Sequence, residues 1–295
     1  MTIEQPFYTF VREERQFCAI LAHLLMQKGQ NLGKFIELIN RDLTPDRAIS
    51  GEGIDEAEVY VEFTYLRDSW SGLARDNESK RARIIELFSR IETLRPLAIA
   101  PWPSDLANFN GRLMGERGLR ITRDVAYPGH WTLSALEGLA QQFRLGPTGF
   151  RDLCRFKWAF NIKPDLVVVI PGQVPICIEA KLESKESSYP SATAECAIFD
   201  RATNGAPRVG QLELQRFMFK NLIGTECQPV VIVQKAEGLK AIDDGSKEAV
   251  GLLWGQLLSR LEPKTSIAFV HRFREQNEHL LSSYAHHRIS RDDVW

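Results

Sequence analysis

The sequence has no apolar run that approaches the roughly 20 residues needed to span a bilayer, and its start lacks the basic and apolar regions of a secretory signal. Internal repeats and low-complexity tracts are missing as well. The five cysteines are scattered and form no CxxC pair, which argues against a disulfide framework or a zinc knuckle and favours buried, reduced thiols. We therefore expect a cytoplasmic globular protein with no membrane partner.

An excess of charge of one sign is also missing, since 37 lysines and arginines stand against 38 aspartates and glutamates, a formal net charge of −1. The chain as a whole offers no cationic field to attract a polyanion, which argues against a histone-like or ribosomal type of binder. Any contact with nucleic acid must come from a local basic patch or from a partner subunit. The 295 residues, 44% of them hydrophobic, allow one or two domains.

Hydrophobic periodicity predicts an N-terminal half that is mainly helical and a C-terminal half that contains strands. The predicted helices cover residues 9–27, 32–40, 54–67, 78–94, 133–143, 207–223 and 247–261. The predicted strands cover residues 118–127, 228–234 and 266–273, besides a hairpin before residue 181. The order strand, helix, strand after residue 228 indicates a crossover unit, and hence a mixed sheet covered by helices.

Two apolar, β-branched runs flank a Pro-Gly turn between residues 161 and 181, a pattern that predicts a β-hairpin. With a three-residue loop at 171–173, Asp165 lies directly across from Glu179, so both side chains project from one face of the sheet. Lys181 follows Glu179 by two residues and shares that face. A two-residue loop would instead place the two acids on opposite faces.

Two carboxylates held this close repel each other unless a cation lies between them. Carboxylate oxygens are the ligands that Mg²⁺ prefers, and it takes one or two of them from a protein while keeping several waters. A lysine beside such a site can orient the attacking water, and the metal stabilises charge on a phosphoryl oxygen. These residue types are therefore suited to hydrolysis of a phosphodiester.

Pro164-Asp165, thirteen intervening residues, and Glu179-Ala180-Lys181 together resemble the signature of the PD-(D/E)xK nuclease superfamily. The resemblance covers residues 158–273 and one N-terminal helix. It implies an α/β fold with a restriction-endonuclease-like core, in which helices flank a mixed central sheet, and with a helical N-terminal insertion. The expected parts are a first core helix (1–29), a mainly helical insertion (30–150) and the nuclease core (151–295).

The same resemblance implies a Mg²⁺-dependent nuclease, with Mn²⁺ able to substitute, that cuts DNA and acts in bacterial defence against foreign DNA. Asp165 and Glu179 correspond to the metal-binding carboxylates, the Ala180 carbonyl to a third ligand, and Lys181 to the catalytic lysine. The near-neutral net charge suggests a protein partner or a homodimer.

Two further positions follow from the resemblance alone. Many members place an acidic residue on the first helix, where this chain has Glu14 or, as the alternative, Glu13. Several carry a glutamine on the helix after the Glu-x-Lys strand, which here would be Gln211 or Gln215, four residues apart and on one helical face. By the resemblance, one of these two glutamines would orient Lys181 or the phosphate.

Other interpretations of these residues stay open. The three charged residues also fit a salt-bridged strand end, Glu14 fits a solvated helix start, and the two glutamines fit an ordinary polar face. The fold could serve as a catalytically inactive binding or scaffold subunit, the substrate could be RNA, or the two acids could point apart in an unrelated α/β protein. The basic run at 80–83 could contact phosphates, although such a run on an amphipathic helix also fits a solvated face.

Overall fold

The computed structural model describes residues 14–27, 29–182, 187–235, 238 and 249–261. The chain divides into two compact units, both discontinuous in sequence. Unit 1 comprises Met1–Phe63, Pro164–Glu186 and Glu226–Trp295, and unit 2 comprises Thr64–Lys163 and Ser187–Thr225.

Helices and strands alternate irregularly along the described chain. The α-helices are α1 (Glu14–Met26), α2 (Gln30–Asn40), α3 (Tyr65–Gly72), α4 (Asn77–Ser89), α5 (Arg95–Ala98), α6 (Leu106–Met114), α7 (Glu116–Leu119), α8 (Leu133–Gln142), α9 (Gly146–Ala159), α10 (Thr193–Ala202), α11 (Gln211–Phe217) and α12 (Trp254–Arg260). The strands are β1 (Glu58–Val61), β2 (Leu166–Val169), β3 (Ile176–Ala180), β4 (Ser188–Tyr189), β5 (Val209–Gly210), β6 (Gln228–Val233) and β7 (Val250–Leu253). None of the helices in the described part has the length and apolar character required to traverse a bilayer.

Unit 1 contains a five-stranded sheet in the order β1-β2-β3-β6-β7. The pairs β1–β2 and β2–β3 are antiparallel, whereas β3–β6 and β6–β7 are parallel. The chain is thus an α/β protein with a mixed sheet and many helices, as the sequence predicts at that level.

The core of unit 1 lies between one face of this sheet and the helices α1, α2 and α12. Alternate strand residues supply the sheet side of the core, for example Leu166 and Val168 on β2 and Ile176 and Ile178 on β3. This spacing follows from the two-residue period of a strand, which sends every second side chain to the same face. The opposite face therefore carries the residues between them.

The β2–β3 hairpin has the register predicted from its loop. Val167 lies opposite Cys177, and the flanking pairs keep the same offset. Gly172 has φ 73°, a left-handed conformation that glycine adopts at low cost, and the Gln173 N–H donates to the Ile170 carbonyl over 3.0 Å. This register directs Asp165 and Glu179 to one face, although the residues between the two strands number six, 170–175, rather than three.

Unit 2 is mainly helical, with a two-stranded sheet of β4 and β5. Its helices pack through an aromatic cluster, in which Trp131 stacks on Phe156 at 5.4 Å between ring centroids and Phe88 lies 4.9 Å from Phe156. Glu213 on α11 accepts hydrogen bonds from Arg151 and Arg155 on α9, which joins the two sequence segments of the unit.

Several helices and strands agree with the prediction. The helices predicted over 32–40 and 133–143 and the strand over 228–234 are present with shifts of one or two residues. The helix predicted over 9–27 is described from Glu14 onward as α1, and that over 78–94 forms α4 and a short 3₁₀ turn. The helix predicted over 207–223 begins only at Gln211 and continues as a π-helix from Met218. The strand predicted over 266–273 lies outside the described residues.

Three predicted elements are wrong. Residues 54–67 form a 3₁₀ turn, β1 and the start of α3 rather than one helix, because Val59, Tyr60 and Val61 favour a strand that pairs with β2. Residues 118–127 form the end of α7 and the loop after it, since side chains rather than a neighbouring strand bond the backbone of that loop. In the region 247–261, Val250–Leu253 is a strand parallel to β6, and the helix starts at Trp254.

Candidate active site

The candidate site lies on the sheet face of unit 1 that is opposite the α1, α2 and α12 core. Ile178 and Ala180 point into that core, so the alternation of β3 sends Cys177 and Glu179 to the other face. Continuation of the hairpin register by one pair beyond Leu166 and Ile178 places Asp165 across from Glu179. The local pairing of two strands thus brings the two carboxylates to one face.

Glu179 is buried, with only 2% of its surface exposed, and its charge is balanced at short range. The Lys181 Nζ lies 2.6 Å from Glu179 Oε1, and the lysine side chain is itself only 11% exposed. The Lys181 N–H donates to the Ile232 carbonyl over 2.7 Å, which fixes its backbone against β6. Removal of one partner from an ion pair buried in this way destabilises the folded protein by about 3–5 kcal/mol.

Asp165 is half-buried, and its carboxylate bonds to the partner strand. Its Oδ2 accepts a hydrogen bond from the Ala180 N–H at 2.8 Å, which places the carboxylate next to the Glu179–Lys181 backbone. On its other side, the N–H groups of Glu62 and Phe63 donate to the carbonyls of Asp165 and Pro164. Both neighbouring strands therefore hold the segment that carries Asp165.

The thiol of Cys177 reports the electrostatics of this face. Complete burial raises its pKa, and the hydrogen bond to the Cys227 thiol raises that pKa further. The charges of Glu179 and Asp165 act in the same direction, because a nearby negative charge disfavours a thiolate. Both carboxylates thus lie near enough to Cys177 to contribute a negative potential there.

The donor set of this face fits a hard divalent cation only in part. Two carboxylates and one backbone carbonyl, completed by water, match what Mg²⁺ takes from proteins. However, within the described ranges no group of three or more His, Cys, Asp and Glu side chains is arranged to hold a metal ion. Asp165, Glu179 and the Ala180 carbonyl are the groups that would hold Mg²⁺ here.

The structure brings together four of the predicted site residues, Asp165, Glu179, Ala180 and Lys181. Gln211 and Gln215 lie on α11 of unit 2, where Gln215 is fully buried, and their predicted role stays a prediction. Glu14 is the first residue of α1, and its role likewise stays a prediction. Glu13 lies outside the described residues.

Glu62 is a neighbour of the site that the sequence did not indicate. It follows β1 and bonds through its N–H to the Asp165 carbonyl at 2.8 Å, and its backbone has φ 49°. Its side chain is exposed and lies 3.5 Å from Arg15 Nε on α1. The available signal is the run of β-branched and aromatic residues at 58–61, which is typical of a strand rather than a helix.

No protein-family model, curated protein or solved structure matches this chain.

Proposed function

We propose that this protein is a Mg²⁺-dependent nuclease that hydrolyses DNA phosphodiester bonds and has a restriction-endonuclease-like core. The observation that carries the proposal is the β2–β3 hairpin, whose register aligns Asp165 with Glu179 while Lys181 contacts Glu179 at 2.6 Å. A mixed sheet with helices on one face is compatible with such a core. Bacterial defence against foreign DNA is the setting that the resemblance suggests, and the near-neutral net charge suggests a protein partner or a second copy.

In this proposal each residue of the cluster has a separate task. Asp165 and Glu179, with the Ala180 carbonyl, would hold the cation, which when bound supplies Lewis-acid stabilisation of charge on a phosphoryl oxygen. Lys181 would donate a hydrogen bond to the attacking water or to a non-bridging phosphate oxygen. The N–H of Ala180 holds the Asp165 carboxylate in position through its 2.8 Å bond to Oδ2.

The sharpest test uses Asp165→Asn, because an asparagine oxygen can still accept the bond from the Ala180 N–H while the negative charge is lost. Full-length wild type is expected to cleave supercoiled plasmid with Mg²⁺ or Mn²⁺ and to lose that activity in EDTA. The variant is expected to cleave at least about 10²-fold more slowly. Glu52→Gln, at an exposed acid of unit 1, is the matched control and is expected to cleave like wild type.

A double substitution separates loss of activity from misfolding caused by an unpaired buried charge. Lys181→Ala would leave Glu179 without its ammonium partner, so a loss of activity could come from misfolding. The double variant Glu179→Gln with Lys181→Met removes both charges and keeps similar volumes. We expect it to fold, as judged by a cooperative urea transition, and to be inactive; full activity in this variant would contradict the proposal.

The alternative is a catalytically inactive subunit that binds or scaffolds through the same fold. The direct contact between Lys181 and Glu179 favours it, because that ion pair balances its own charge without a metal. A purified wild type that leaves plasmid, linear DNA and RNA intact with Mg²⁺ and with Mn²⁺ would support this alternative.

A further inference from the structure

Although the chain as a whole is nearly neutral, its formal charge is divided unequally between the two units. Unit 2 contains 20 lysines and arginines against 13 aspartates and glutamates, a formal charge of +7. Unit 1 contains 17 against 25, a formal charge of −8. Such asymmetry between two parts of one chain is typical of proteins in which one part contacts a polyanion.

Part of this positive charge lies on the segment 115–124, which consists of α7 and the start of the loop after it and which we call the arginine loop. It carries Arg117, Arg120 and Arg123, all three exposed. Within the part of the chain that the structure describes, none of the three guanidinium groups takes part in a hydrogen bond or an ion pair. Glu116 and Asp124 are the acids in the loop, and the charge of Asp124 is balanced by the buried Lys80 at 2.8 Å.

Two asparagine side chains, the buried Asn110 and the half-buried Asn77, bond to the backbone at the end of the arginine loop. Asn110 on α6 is fully buried and donates to the carbonyls of Ile121 and Asp124, at 2.8 and 2.9 Å. Its Oδ1 accepts from the N–H of Ala126 at 2.9 Å. Asn77 at the start of α4 donates to the Arg123 carbonyl at 3.1 Å and accepts from the Val125 N–H at 2.9 Å.

These observations describe a fixed backbone that presents three exposed cations. Nucleic acid meets such a surface through its phosphates, which a guanidinium binds in a bidentate manner. Because the loop is held in place before binding, ordering of the backbone costs little when the ligand arrives. The acids within the loop, Glu116 and Asp124, are outnumbered by its three arginines, and Asp124 is already paired with Lys80.

We propose that the arginine loop of unit 2 is a contact surface for the phosphate backbone of duplex DNA. This inference rests on the proposed function for its choice of DNA over other polyanions. It assigns the affinity for substrate to unit 2, while Asp165, Glu179 and Lys181 of unit 1 carry the chemistry.

The test measures DNA binding separately from cleavage. Full-length protein with Asp165→Asn is titrated into a fluorescein-labelled duplex of about 30 base pairs in EDTA, and anisotropy is recorded at about 50, 100 and 200 mM KCl. The triple variant Arg117→Gln, Arg120→Gln and Arg123→Gln is compared in that background. We expect affinity at the lowest salt concentration to fall by more than about 30-fold and the slope of log K against log salt to fall by about 2.7, which is about 0.9 for each lost phosphate contact.

The matched control removes the same charge elsewhere, through Arg41→Gln, Arg95→Gln and Arg144→Gln, three exposed arginines outside the loop. It is expected to stay within about threefold of the parent protein. Equal losses in both triple variants would overturn the proposal, because net charge alone would then explain binding. Unchanged affinity in the loop variant, or binding to a single-stranded RNA of the same length but not to the duplex, would also overturn it.

The two proposals fail in different ways. If the wild type binds DNA through the arginine loop but cuts no polynucleotide with Mg²⁺ or Mn²⁺, the nuclease proposal is contradicted and the DNA-contact proposal is supported. If the wild type shows metal-dependent cleavage and the loop variant has the same KM for DNA, the nuclease proposal is supported and the DNA-contact proposal is contradicted.

Discussion

At the scale of single residues, burial decides which ionisable groups keep their protons. Glu179 is only 2% exposed, and its carboxylate lies 2.6 Å from the Lys181 ammonium. The thiols of Cys154 and Cys177 are fully buried, and burial raises the pKa of both. Desolvation disfavours the thiolate because a buried charge loses its hydration.

This raised thiol pKa predicts a loss of stability at alkaline pH. Above about pH 8.5 an unfolded cysteine releases its proton while the buried thiol of the folded state retains it, so the unfolded state is favoured as the pH rises. We expect each thiol to cost about 1.4 kcal/mol of unfolding free energy at about pH 9.5 relative to about pH 7.5. Urea unfolding at both pH values measures the effect.

Cys154→Ala isolates one thiol in this experiment. Lysines and tyrosines titrate alike in wild type and variant, so the difference between their two pH responses belongs to Cys154. The variant is expected to lose about 1.4 kcal/mol less than wild type on going to the higher pH. An identical loss in both proteins would contradict the assignment.

At the scale of the elements, the β2–β3 hairpin connects a local sequence pattern to the site. Its turn contains Gly172 at φ 73°, a region that costs an L-residue roughly 1–2 kcal/mol. A Cβ at this position would meet no atom within 4 Å, so its cost comes from the backbone alone. Gly138 lies in the interior of α8 with equally open surroundings.

These two glycines form a matched pair. Gly172→Ala is expected to lower the free energy of unfolding by about 1 kcal/mol, because alanine disfavours the left-handed region. Gly138→Ala is expected to raise it by about 0.5–1 kcal/mol, because alanine restricts the unfolded chain and favours the helix. Urea midpoints of both variants give the two values, and a stabilising effect of Gly172→Ala would show that the turn is not left-handed.

The register of the β2–β3 hairpin could be predicted from the sequence, whereas strand β1 could not. Its register follows from the odd number of residues in the predicted loop, 171–173, and the two-residue period of a strand, and the sequence of residues 161–181 contains both. The same register places Asp165 opposite Glu179. Strand β1 could not be predicted in the same way, since its four residues are mostly exposed and pair with β2 about a hundred residues later. The alternating β-branched residues of 118–127 resemble a strand, but Asn110 and Asn77 bond that backbone instead.

At the scale of the whole molecule, long-range pairing defines the two units. Unit 2 depends on contacts between Thr64–Lys163 and Ser187–Thr225, which no local pattern reveals. Phe199 packs near Phe150 and Trp158, and Glu213 balances the partly buried Arg151 and Arg155. Removal of the second segment would expose the aromatic contacts and leave two guanidinium groups without their shared carboxylate.

This dependence predicts the behaviour of fragments. A fragment of residues 64–163 is expected to lack a cooperative urea transition, because it has neither Phe199 nor Glu213. The fragment 64–225 contains both segments of unit 2 and is the control, expected to unfold cooperatively by circular dichroism. A sharp transition of the shorter fragment, at the same midpoint as the control, would show that α10 and α11 are dispensable.

The interleaving of the two units along the chain also sets an order for their completion during translation. All of unit 2 has been synthesised once residue 225 is made, whereas the sheet of unit 1 still awaits β6 and β7. On the ribosome, the helical unit can therefore close while the β2–β3 hairpin has no parallel neighbour. Strand β3, which carries Glu179, gains its second neighbour only when β6 emerges, so the sheet around the hairpin is completed after unit 2.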